Sequence, residues 1–85
     1  MRCIEELVKL VLRDLKLKNV ELPWDLTLHM VVHALLQFLN VELKELNHRV
    51  CEILERDDEK LKELKAVVTL VIDDLAYAFS FGLEQ

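Results

Sequence analysis

Leu43, Leu46, Val50 and Ile53 recur at steps of three and four residues, and after a short interruption Leu61, Leu64, Val68, Val71 and Leu75 do the same. That spacing is one face of an α-helix. It describes two long helices joined by a very tight turn, with little chain left over. The 85 residues include one glycine (Gly82), one proline (Pro23) and one serine (Ser80). All-β and α/β folds need many turns, and this chain lacks the residues that make them. The expectation is a single all-α domain over residues 1–85.

Three helices are predicted. The first spans 2–18, with Ile4, Leu7, Val8, Val11 and Leu15 on one face and Glu5, Glu6, Lys9, Arg13 and Lys16 on the other. Asn19 to Trp24 form the loop, because Pro23 disfavours a helical Leu22, and Asp25 or Thr27 is available as a cap. The second runs to about Arg56. Asp57 and Asp58 cap the third, which reaches about Phe81, with Gly82 suited to a left-handed helix end. Five pairs (Glu5–Lys9, Asp14–Lys18, Glu45–Arg49, Glu52–Arg56 and Asp58–Lys62) place an acid four residues before a base, which favours helix. Asn40 could start a fourth helix. Leu39, Leu43 and Leu46 cross it without a change of phase, so the second helix is taken as continuous.

The width of the apolar face suggests the architecture. From Leu26 to Val41 it covers most of the circumference, leaving a polar line of His29, His33, Gln37 and Asn40. From Glu42 to Arg56 it narrows, and the third helix broadens again from Ala66 to Phe81. A broad face serves two neighbours and a narrow one serves one. The expected fold is an antiparallel three-helix bundle of residues 2–18, 26–41 and 66–81. From it the long hairpin of the second and third helices extends beyond the first, as an arm of residues 42–65.

The net charge is −5, with +2 on residues 1–20 and −7 on the remainder. An acidic body repels phosphate backbones and anionic lipid, so neither nucleic acid nor a membrane is an expected partner. Glu5 and Glu6 interrupt the apolar start, against a signal peptide. In the predicted hairpin, Cys3 lies beside position 40, leaving Cys51 roughly 16 Å away at ~1.5 Å per residue. Two free thiols fit a reducing compartment, and the expected location is cytoplasmic.

Few residues suggest chemistry. His29 and His33, four apart, can face one metal ion, but a zinc site needs further ligands, and Gln37 and Asn40 are poor ones. His48 and Cys51 have the three-residue spacing of half a site. Asp73 and Asp74 point about 100° apart on a helix and cannot act on one atom together. No phosphate loop and no nucleophile–base pair is present, so no enzyme activity and no cofactor are expected.

The sequence thus points to a structural or protein-interaction module acting through helix–helix association. Leu70, Tyr77 and Phe81 form its candidate surface, and a homo-oligomer, a dimer above all, or another helical protein is the partner. A designed protein without a biological role is the alternative. Scarce glycine, acid-to-base spacing and a minimal turn favour it, whereas two cysteines, three histidines and an irregular loop do not. A metal-binding bundle built on His29 and His33 is the third reading.

Overall fold

The computed structural model describes residues 2–15 and 22–84, with side chains as far as Phe79. The end of the first predicted helix and most of the Asn19–Trp24 loop lie outside the described residues. Four helices follow in order: α1 (Arg2–Leu15), α2 (Trp24–Leu39), α3 (Leu43–Arg56) and α4 (Asp58–Glu84). No strand occurs among the described residues. The chain is all-α, as its turn-poor composition implies, but it is not a three-helix bundle.

The correction begins at Asn40. This residue has φ 55° and ψ 48°, the only positive φ among the described non-glycine residues, and its N–H donates to the Leu36 carbonyl at 2.9 Å. Asparagine reaches the left-handed region more easily than other residues that carry a Cβ. Val41 and Glu42 follow in a non-helical link, and α3 leaves at 81° to α2. The apolar phase across Asn40 depends on Leu43. That side chain is 60% exposed, whereas Leu46, Val50 and Ile53 are fully buried. The core-facing stripe of α3 therefore starts at Leu46 and is independent of the stripe on α2. Replacing Asn40 with glycine is expected to leave stability nearly unchanged. Replacing it with valine is expected to cost about 1–2 kcal/mol, read from urea midpoints.

The bend removes the projecting arm. Every helix touches each of the other three, and α1 packs against α3 as well as α2 and α4. A narrow apolar stripe proves able to serve two neighbours when it points into the seam between them. α4, about 40 Å long at ~1.5 Å per residue, spans most of the molecule's 42 Å length. The core joins Ile4, Leu7, Val8 and Val11 of α1, Val31, Val32 and Leu35 of α2, Leu46, Val50 and Ile53 of α3, and Leu64, Val68 and Ile72 of α4.

The turn between α3 and α4 is as tight as the sequence implies. Asp57 alone separates the two helices. Its N–H donates to the Ile53 carbonyl (3.1 Å), its carbonyl accepts from the Leu61 N–H (2.9 Å), and its carboxylate accepts from the Lys60 N–H (3.0 Å). One residue thus closes one helix and caps the next.

The start of α2 is different. Neither Asp25 nor Thr27 caps it, and Pro23 occupies the cap position without a side-chain bond. Thr27 is buried and bonds backwards, with both its N–H (3.0 Å) and its hydroxyl (2.9 Å) donating to the Pro23 carbonyl. At the far end, α4 continues through Gly82 to Glu84 and no glycine has positive φ, so Gly82 does not form the predicted left-handed terminus. Glycine permits that conformation but does not require it.

Among the described residues, Glu5–Lys9, Glu45–Arg49, Glu52–Arg56 and Asp58–Lys62 are not the ion pairs found. Those present are Arg2–Glu6 (3.7 Å), Lys44–Glu42 (3.6 Å), His48–Glu52 (3.3 Å) and Lys60–Glu63 (3.2 Å), and Asp14–Lys18 falls partly outside the described residues. All are local and, apart from the half-buried Lys60, exposed or nearly so, and each contributes at most ~1 kcal/mol.

Candidate functional site

The outer face of α4 lies opposite its buried line of Leu64, Val68 and Ile72. On it, Leu70 is 66% exposed and Tyr77 74% exposed, two turns apart, with Ala66, Asp73 and Asp74 exposed around them. The side chain of Phe81, the third predicted member, lies outside the described residues. Leu70 and Tyr77 therefore share one solvent-facing stripe of apolar surface bordered by carboxylates.

A second apolar area lies on α2. Leu26 and Met30 are 37% and 42% exposed, beside exposed His29, His33 and Gln37. No Asp, Glu, Lys or Arg occurs from Leu26 to Val41, so the polar groups of this outward face are amides and imidazoles. Large apolar side chains without charge between them are the composition of an interface centre rather than of its rim.

Two exposed aromatics at opposite ends of α2 are partly covered by lysines. The Lys9 ammonium of α1 lies 6.0 Å from the centre of the Trp24 ring, and Lys60 of α4 lies 4.9 Å from that of Phe38. At exposed sites each contact is worth about 0.5–1 kcal/mol. They place the end of α2 beside the start of α4, and the start of α2 beside the middle of α1. The pairs are 15 and 22 residues apart in sequence, so no local spacing announces them.

The candidate ligands are not gathered into a metal centre. His29 and His33 place their rings 4.5 Å apart, edge to face. No group of three or more His, Cys, Asp or Glu able to hold an ion forms among the described residues. His48 turns to Glu52, and Cys51 is committed elsewhere, so the predicted half-site is not assembled. An open groove of about 260 Å³ on the outer side of α1 is lined by Glu6, Lys9, Leu10 and Arg13, which include no nucleophile–base pair.

The largest departure from expectation concerns the cysteines. Cys3 and Cys51 form a disulfide, with Cα atoms 5.3 Å apart. The separation of roughly 16 Å assumed a straight second helix, and the bend at Asn40 brings α3 alongside α1. The free-thiol premise for a reducing compartment falls with it. A sequence signal did exist, since each cysteine adjoins a core position, Ile4 in one case and Val50 in the other.

The fold and its surface define an all-α protein whose four helices share one core and whose α2 and α4 carry exposed apolar side chains. No protein-family model, no curated protein and no solved structure matches this chain. No single described helix is long and apolar enough to cross a membrane. Only the bent pair α2 and α3 together reach that length and composition.

Proposed function

We propose that this chain is a helix-based protein-association module whose partner is a second copy of itself. The observation that carries the reading is Leu70 and Tyr77, each about two-thirds or more exposed on one stripe of α4. The partly apolar outward face of α2, which has no Asp, Glu, Lys or Arg of its own from Leu26 to Leu39, adds to it. Association would bury this surface at about 25 cal/mol per Å² of apolar area. Carboxylates such as Asp73 and Asp74 at the edge would govern register and salt dependence rather than supply affinity. The same surface patch on both copies makes a two-fold dimer the simplest closed arrangement.

Light scattering over a wide concentration range tests the proposal. The expected mass is that of a dimer, reverting to a monomer in the Leu70→Glu, Tyr77→Glu double variant with helical circular dichroism unchanged. A monomer at every concentration, or a dimer indifferent to both substitutions, would remove self-association through this face.

A further inference from the structure

We propose that Cys3 and Cys51 form a reversible redox clasp that holds the first turn of α1 on α3, so that a dithiol reductant loosens α1 while the packing of α2 on α4 persists. The proposal does not depend on the self-association reading.

The clasp has two points of attachment. The first is the disulfide, between the first turn of α1 and the middle of α3. The second is Asn47, one turn before Cys51 on α3. Its Oδ1 accepts the Cys3 N–H at 3.0 Å, and its Nδ2 donates towards the Cys51 Sγ at 3.8 Å. The Cys3 N–H belongs to the first turn of α1, where backbone donors have no partner within the helix. Asn47 therefore completes α1 from outside and touches both halves of the cysteine pair.

Position makes the pair reachable. Ile4 and Val50, the sequence neighbours of the two cysteines, are fully buried, but both cysteines are only half-buried. Both cysteines therefore lie at the margin of the core rather than sealed inside it, and a disulfide at such a margin is within reach of a thiolate where a sealed one would be inert. The positive end of the α1 dipole also favours negative charge on a departing Cys3 sulfur.

The exchange balances with a dithiol as reductant. Its thiolate attacks the Cys51 sulfur. The Cys3–Cys51 bond breaks and the Cys3 sulfur leaves with the electron pair, then takes a proton. The second thiol of the reductant, as thiolate, attacks the mixed disulfide and releases Cys51, which is protonated in turn. Two electrons have passed to the protein, and the reductant has become a disulfide. Oxidised glutathione restores the bond by its own two steps: the Cys51 thiolate attacks it and releases one glutathione, and the Cys3 thiolate then attacks the Cys51–glutathione mixed disulfide and releases the second, with Asn47 available to both cysteines as α1 docks again.

The conformational output follows from how the core is divided. Val31, Leu35, Leu64, Val68 and Ile72 belong to α2 and α4, which pack directly on each other within the shared core. α1 contributes Ile4, Leu7, Val8 and Val11, and the clasp sits beside the first of these. Opening it weakens the attachment of α1 ahead of the rest, as expected of a unit that opens separately.

The test uses the full chain in buffers of graded reduced-to-oxidised glutathione ratio, with alkylation, intact mass and amide hydrogen exchange on the same samples. One reversible transition between species carrying zero and two alkyl groups is expected. Amides of residues 3–11 should lose about tenfold or more protection beyond that lost at residues 64–72, which exchange only through the global unfolding that reduction also favours. Asn47→Ala should move the transition to more oxidising ratios, by about threefold or more in the thiol–disulfide equilibrium. Cysteines alkylated at every ratio would overturn the proposal. So would exchange that accelerates equally in all four helices, since the bond would then be a global staple, or exchange that reduction leaves unchanged. An unshifted transition in Asn47→Ala would overturn the two-point geometry.

Discussion

Replacing Cys3 and Cys51 together with serine lowers the melting temperature by roughly 15–30 °C. The disulfide closes a loop with a sequence separation of 48. In the chain-entropy account, a cross-link of that span stabilises the fold by about 4 kcal/mol, because it restricts the unfolded chain. In a domain of this size each kcal/mol moves the midpoint by about 4–8 °C. The hydrogen bond from Cys3 to Asn47 uses the backbone N–H, so the change of side chain does not itself remove it. Most of the loss therefore belongs to the cross-link itself. Thermal melts by circular dichroism, with and without reductant, measure it. The oxidised native protein should melt high, and the reduced native protein should coincide with the double variant. A native protein that melts at the same temperature with and without reductant would show that the cross-link contributes nothing.

Leu46→Ala is expected to cost about 2–5 kcal/mol, whereas Leu43→Ala is expected to cost less than about 0.5 kcal/mol. The two leucines are three residues apart and occupy equivalent places in the sequence pattern. In the structure Leu46 is fully buried among four helices, and truncating it leaves a cavity that rigid neighbours fill poorly. Leu43 opens α3 with 60% of its surface in solvent, so its truncation removes little burial. Urea unfolding of the two variants gives the comparison directly. Equal losses would mean that α3 is rotated differently about its axis, and that the second and third helices form the straight hairpin first expected.

The fold was legible where local rules govern it. Ile4, Leu7, Val8 and Val11 mark the buried face of α1 by spacing alone, and all are buried. Asp57 announces the joint between α3 and α4 because a short acid before a periodic run is the ordinary start of a helix. Asn40 was ambiguous for an equally physical reason. An asparagine tolerates both a helix interior and a left-handed end, and the neighbouring leucines kept the helical period whichever it adopted. The candidate surface was only partly legible. Leu70 and Tyr77 fall opposite the buried line of α4, which periodicity reveals. The lysine cover on Trp24 and Phe38 depends on which helix ends meet, and spacing carries no record of that.

By itself, the sequence determined the helices and most of their inward faces, since i, i+3 and i+4 contacts are satisfied within a few residues of chain. Tertiary structure alone decided the 81° turn after α2, the placement of α1 against α3, and hence the meeting of Cys3 with Cys51. Helix direction in space is set by which apolar stripes bury each other best, a property of all four helices at once. No window of sequence shorter than the whole chain contains it.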